Sequence, residues 1–157
     1  MSVATLRRMT RADLPAVMRI ERSTFPLDAW SEGMMRGELD DQPRTRHYIV
    51  ALVEGEIVGY AGLAAAGDQA DVQTIAVSAG NQRAGIGSAM LGELLAEAVR
   101  RGTAAVFLEV RADNPPAQAM YRRFGFRPIG VRADYYDDGT DAIMMVRRLD
   151  EEGDGNG

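Results

Sequence analysis

Two spacings of apolar residues alternate along this chain. Positions three and four apart predict helices, and short alternating or unbroken apolar runs predict strands. Val3 to Met9 reads as a strand, and Thr10 then caps a helix whose apolar positions are Leu14, Val17, Met18 and Ile20. A second helix covers Ser31 to Leu39, with Ser31 as its cap. Tyr48 to Val53 and Ile57 to Leu63 flank Glu54-Gly55-Glu56 as a hairpin, and Ala70 to Val77 supplies the next strand. From Gly85 onward Ile86, Met90, Leu91, Leu94, Leu95, Ala98 and Val99 recur at helical spacing, up to a basic last turn, Arg100-Arg101, and a stop at Gly102. Ala105 to Val110 reads as a buried strand, apolar apart from Glu109. Asn114 caps and Pro115 opens a helix that stops at Gly125, and strands at Ile129 to Tyr135 and Ala142 to Arg148 meet across a turn at Asp138-Gly139.

The order is strand, two helices, three strands, helix, strand, helix, two strands. This α+β pattern predicts a mixed, largely antiparallel seven-stranded sheet with helices on both faces. At 157 residues and 46% hydrophobic content the chain can build a single sizeable core, so residues 1–149 are expected to form one domain. Residues 150–157 carry nothing apolar after Leu149 and are expected to be disordered. The start lacks an apolar signal region and no run reaches membrane-spanning length, so the expectation is a soluble, cytoplasmic protein without a membrane partner. The absence of cysteine excludes disulfides, a thiol nucleophile and thiolate metal sites. A formal charge of -5 argues against direct nucleic-acid binding and suits a basic polypeptide partner.

The densest chemistry lies where the strand ending Ile75-Ala76-Val77 gives way to Gln82-Arg83-Ala84-Gly85-Ile86-Gly87-Ser88 and a helix. Two glycines at a helix start let an anion approach backbone N–H groups that have no helical acceptor. A Walker loop would need lysine before Ser88, and a dinucleotide fingerprint would need glycine at Met90 directly after the strand. The remaining pattern, Q-x-x-G-x-G after a strand, resembles the acyl-coenzyme A loop of the GCN5-related N-acetyltransferases (GNAT). Asn114-Pro115-Pro116-Ala117-Gln118-Ala119-Met120-Tyr121-Arg122-Arg123-Phe124-Gly125-Phe126 resembles the second signature of the same superfamily. Within it, Leu108-Glu109-Val110-Arg111, Asn114, Tyr121, Tyr135-Tyr136, Asp141 to Met145, Phe25-Pro26 and Trp30-Ser31 are similar to the bacterial ribosomal-protein-alanine N-acetyltransferases.

That resemblance implies acetyl-CoA as cosubstrate, bound in a cleft where the 70–77 and 105–110 strands splay apart. Backbone groups of Ile75, Ala76 and Val77 would hold the pantetheine arm, with the Val77 N–H polarising the thioester carbonyl. Arg83, Ala84, Gly85, Ile86, Gly87 and Ser88 would hold the pyrophosphate, and Asn114 would add a hydrogen bond to the pantetheine. Glu109 becomes the general base, acting directly or through a water, and Tyr121 the acid that protonates the departing thiolate. Phe25, Trp30, Tyr135 and Tyr136 would form a peptide groove. Each side chain also has a plainer reading. Glu109 would pair with Arg111 or Arg132, Tyr121 would be an ordinary buried tyrosine, and the four aromatic residues would pack in the core.

The implied acceptor is the N-terminal α-amine of a protein, in particular the N-terminal alanine of a small-subunit ribosomal protein. An α-amine, with a pKa near ~7.7–8.0 against ~10.4 for lysine, is the easier amine to deprotonate. Lysine or small-amine acetylation, acyl-CoA binding without catalysis, and a nicotinamide-dependent oxidoreductase with Glu109 on the ribose are the alternatives. No metal is expected. The lone histidine, His47, reads as a solvent-facing residue at a strand end, and Asp134, Asp137, Asp138 and Asp141 lack the spacing of a calcium loop.

Overall fold

The computed structural model describes residues 4–82 and 84–150, and its elements follow the predicted order. They are β1 (Thr5–Arg8), α1 (Leu14–Thr24), α2 (Glu32–Asp40), β2 (Arg46–Val53), β3 (Glu56–Ala66), β4 (Gln69–Val77), α3 (Ile86–Arg100), β5 (Ala105–Arg111), α4 (Pro115–Arg123), β6 (Arg127–Arg132) and β7 (Ala142–Arg148). The sheet has seven strands in the order β1-β2-β3-β4-β5-β7-β6 and is flanked by helices. The β4–β5 pair is parallel, whereas β1–β2, β2–β3, β5–β7 and β6–β7 are antiparallel.

By its internal contacts the chain divides into two compact units, Met1–Ala64 with Val72–Leu94 and Ala65–Asp71 with Leu95–Gly157. In the first, local chemistry sets each element. Asp13 accepts the Thr10 N–H at 2.8 Å and binds Arg7 at 2.8 Å, so the entry to α1 is fixed by a carboxylate as well as by the threonine. Ser31 accepts the Met34 N–H at 3.1 Å and caps α2. Glu54 (φ 52°) and Gly55 (φ 83°) both lie in the left-handed region, the two-residue turn whose twist suits a hairpin, and Val53 pairs with Glu56. The core gathers Met9, Leu14, Val17, Met18, Met35, Tyr48, Val50 and Tyr60, all 2% exposed or less. Each such aliphatic side chain contributes about 1.5–3 kcal/mol by leaving water. Gly62 is required beside Tyr48, because a Cβ there would overlap the tyrosine ring.

In the second unit Ala105, Val106, Leu108 and Val110 of β5 are buried, as are Tyr121, Phe126, Ala142, Met145 and Val146. Gly125 (φ 88°) ends the α4 segment in the left-handed conformation, and a side chain there would strike Arg147, which donates to the Phe124 carbonyl. β1 and β6 stand at the two ends of the strand order. All six residues of β6 are exposed, and its pairing with β7 is interrupted by a bulge between Pro128 and Gly130.

Three expectations are corrected. The strand predicted over Ile129 to Tyr135 ends at Arg132, because Asp134 takes a positive φ of 54° and its N–H binds the Asp141 carboxylate at 3.0 Å. Tyr135 and Tyr136 therefore lie in a loop. The strand predicted over Val3 to Met9 is Thr5–Arg8, with Val3 itself outside the described residues. His47 does not face solvent: its side chain is 16% exposed and its Nε2 lies 3.0 Å from Glu93 Oε2 on α3, so a carboxylate holds it inward. Residues 151–157 of the predicted tail also lie outside the described residues. Among those described, no helix is long and apolar enough to cross a membrane.

Candidate active site

The glycine loop is built within the first unit. After β4 the Ser78 N–H returns to the Val58 carbonyl at 2.8 Å, and the Asn81 N–H closes a short 3-10 turn on the Ser78 carbonyl at 2.9 Å. The Gln82 amide then donates to the Val77 carbonyl at 3.2 Å, tying the loop back to the strand end. Gly85 is exposed with a φ of 79°, and nothing lies within 4 Å of where its Cβ would sit. Its carbonyl accepts the Ala89 N–H at 3.0 Å, so the preceding amides of α3, at Ile86, Gly87 and Ser88, have no acceptor inside the helix. Ile86, 4% exposed, anchors the helix start, while Gly87 and Ser88 are half-buried and Ala84 is exposed. The arrangement presents N–H groups and the positive end of a helix dipole to an anion. Arg83 lies outside the described residues. Ile75 and Val77 are half-buried and Ala76 is buried at the end of β4.

The second unit holds the predicted acid and base. Glu109 is exposed, in contrast to the buried strand expected around it, because β5 turns Val106, Leu108 and Val110 inward and Phe107, Glu109 and Arg111 to the other face. The Tyr135 hydroxyl donates to Glu109 Oε1 at 2.7 Å, and Arg132 Nε lies 3.6 Å from Oε2. Arg132 is one of the two arginines expected as partners. Arg111 binds Asp113 at 3.0 Å and Asp138 at 2.5 Å.

Tyr121 is 6% exposed and meets Phe126 edge to face at 5.9 Å. Burial first, and then the nearby Tyr136, push its pKa well above the usual phenol value, so it stays protonated. Its helix is located by Asn114, whose Oδ1 accepts the Ala117 N–H at 3.2 Å, and by Gln118, which donates to the carbonyls of Arg111 at 3.0 Å and Ala112 at 3.2 Å. Asn114 itself is exposed.

Phe25 and Trp30 lie between α1 and α2, half-buried against the first unit's core. Sequence reasoning passed over the residue that places them. Glu21, 2% exposed, accepts the Trp30 N–H at 2.9 Å and the Tyr60 hydroxyl. Burial raises its pKa, and the Trp30 hydrogen bond offsets only part of that rise. The signal was available, since Glu21 continues the helical stripe Leu14, Val17, Met18 at the next turn. Asp71 was also passed over. It stands in register with Phe107 in the parallel β4–β5 pair, and burial together with the charge of Glu109 raises its pKa. That shift reports a second carboxylate within electrostatic reach of the first.

Within the second unit a hydrogen-bonded carboxylate and a buried phenol are groups suited to moving protons, and within the first a helix start presents N–H groups suited to an anion. The sequence model of the acetyltransferase (GNAT) family matches residues 14–126. The chain is 39% identical over 149 residues to the N-alpha-acetyltransferase RimI of Mycobacterium tuberculosis, covering 91% of each. It is similar to the crystal structure of the ribosomal-protein-S18-alanine N-acetyltransferase from Escherichia coli, with a TM-score of 0.83 and 32% identity over 96% of this chain and 97% of that one. It is also similar to Ard1 from Thermoplasma volcanium, with a TM-score of 0.85 and 27% identity over 94% and 99%.

Proposed function

The chain belongs to the acetyltransferase (GNAT) family and is an acetyltransferase, and from that premise we propose that it moves an acetyl group from acetyl-CoA to the N-terminal α-amine of a ribosomal protein, most specifically an N-terminal alanine. The observation that carries the reading is the likeness to the E. coli ribosomal-protein-S18-alanine N-acetyltransferase along almost the whole of both chains. The net charge of -5 supports a basic protein partner.

Acetyl-CoA would supply the thioester. In this proposal the helix-start amides of Ile86, Gly87 and Ser88, with Arg83, Ala84 and Gly85, receive its pyrophosphate, and the backbone of Ile75, Ala76 and Val77 receives the pantetheine arm together with Asn114. The Val77 N–H polarises the thioester carbonyl as negative charge develops on its oxygen. Glu109 removes the amine proton, directly or through a water, so that the attacking nitrogen is neutral. An α-amine near pH 8 surrenders that proton more readily than lysine does. The sulfur leaves as a thiolate, and Tyr121, kept neutral by burial, presents it with a phenolic hydrogen rather than a repelling phenolate. Phe25, Trp30, Tyr135 and Tyr136 line the approach of the acceptor chain.

The test is mass spectrometry of two peptides incubated with acetyl-CoA: an alanine-initiated peptide from a small-subunit ribosomal protein, and its N-terminally blocked twin carrying an internal lysine. Modification of the α-nitrogen of the first is expected. Preferential modification of the blocked peptide would overturn the α-amine assignment and point to lysine, and modification of neither peptide would point to a small amine or to binding without transfer.

A further inference from the structure

Glu109 and Arg111 stand two residues apart on β5 and so share a face, and each holds one of two adjacent loop tyrosines. The Tyr135 hydroxyl is bound to Glu109 at 2.7 Å, while the Arg111 guanidinium lies 4.8 Å from the centroid of the Tyr136 ring. The two rings meet edge to face at 5.0 Å. Arg111 also reaches the Asp138 carboxylate at 2.5 Å and the Thr140 hydroxyl at 3.0 Å, so one guanidinium touches three residues of the β6–β7 loop. Asp113, just past the end of β5, receives its Nε at 3.0 Å.

The loop is also closed on itself, by Tyr136 N–H to Thr140 carbonyl at 3.1 Å and by Gly139 N–H to Tyr136 carbonyl at 2.8 Å. With the bonds from Asp134 N–H to Asp141 and from Thr140 N–H to Asp138, both at 3.0 Å, they shape the loop, and the guanidinium fastens that shape to the strand carrying Glu109. Both carboxylates on Arg111 are held below their usual range by its hydrogen bonds, Asp138 at about 2, so the clasp stays ionised throughout neutral pH.

We propose that Arg111 is a positioning residue for the acceptor: it clasps the β6–β7 loop so that the Tyr135 hydroxyl rests on Glu109 and the acceptor amine meets the base in one fixed geometry. The inference rests on the reading of Glu109 as base and of the loop tyrosines as acceptor contacts. A surface ion pair with no such role would change neither acceptor kinetics nor their dependence on Tyr135.

The experiment compares wild type, Arg111→Gln, Arg111→Lys, Tyr135→Phe and the double variant Arg111→Gln/Tyr135→Phe on the alanine-initiated peptide. Arg111→Gln is expected to lower kcat/KM for the peptide about tenfold with the acetyl-CoA KM little changed, and to cost much less in the Tyr135→Phe background. Arg111→Lys keeps the charge without the fork and should recover part of the loss, and it serves as the test variant if Arg111→Gln does not fold. Equal fractional losses in both backgrounds, or an equal rise in the acetyl-CoA KM, would overturn the proposal. Amide hydrogen exchange of residues 133–141 is read on the same proteins, with faster exchange expected in Arg111→Gln; unchanged exchange also overturns it. If wild type modified no α-amine, the reading of function would fail while exchange still decided the clasp.

Discussion

Glu21 in the first unit and Glu109 in the second each accept a tyrosine hydroxyl on one carboxylate oxygen, from Tyr60 and Tyr135, and each has a nitrogen donor beside the other oxygen. Their settings differ. Glu21 is 2% exposed as a residue, and its donors come from the core and from a backbone amide, whereas 31% of the Glu109 side chain is open and its donors are side chains on a loop and an edge strand. The same bonding pattern therefore serves two ends. Where water is excluded, releasing either donor would strand a buried polar group, so the carboxylate fixes structure. Where water enters, solvent can satisfy any group that a donor leaves, a setting that suits the proton transfer proposed for Glu109.

The sharpest way to break that comparison is to remove the charge at the open site. Glu109→Gln should lower turnover on an α-amine peptide by ~10²- to 10⁴-fold while leaving the melting temperature nearly unchanged. A variant that melted much earlier but turned over normally would reverse the roles. Glu21→Ala should do the opposite, destabilising by about 1–3 kcal/mol because the Tyr60 hydroxyl and the Trp30 N–H lose their acceptor. Calorimetry should read this as a fall of roughly 2–4 °C for each kcal/mol in a chain of this length.

A smaller effect separates charge from shape. Burial raises the Glu21 pKa, so the folded state holds its proton more tightly than the unfolded chain, where the value is near ~4.3. The contribution of Glu21 is then complete below that value and is lost as pH rises through the folded pKa. Glu21→Gln keeps an acceptor for Trp30 and cannot ionise. Relative to wild type it should gain stability between acid and neutral pH, and denaturant titrations showing the same difference at both ends would contradict the assignment. The smallest expected effect sharpens the picture of Glu109: its charge helps raise the Asp71 pKa, so Glu109→Gln should let Asp71 ionise at lower pH in a carboxyl NMR titration.

The element order was legible because each boundary carries its own local chemistry: Ser31 and Asn114 as caps, Gly55 in a hairpin, and Gly125 as a stop. Alternation along β5 likewise placed Glu109 and Arg111 on one face. Arg132 was legible as a partner open to Glu109 and stands beside it, whereas the bonds from Tyr135 to Glu109 and from Arg111 to Asp138 were not, since they depend on where β6 ends, and that is decided by the positive φ of Asp134 rather than by any apolar spacing. His47 was misread for a similar reason, because Glu93 lies on a helix far along the chain. Asp71 required the parallel register of two strands, which no short stretch of sequence encodes. Glu21 alone was within reach, as a carboxylate standing in an apolar stripe.

The ends of the sheet bear on how the protein behaves in a crowded solution. An outermost strand offers unpaired N–H and C=O groups to any extended chain that drifts past, including another copy of itself. Here β1 is only four residues long and ends in Arg7-Arg8. β6 exposes Ile129 and Val131, yet it begins with Arg127-Pro128, is bulged at once, and ends at Arg132. A proline without an N–H, a break in the ladder and a charge at each end make a poor template for strand addition. The same six residues that leave apolar surface in water thus guard the chain against polymerising through its own edge.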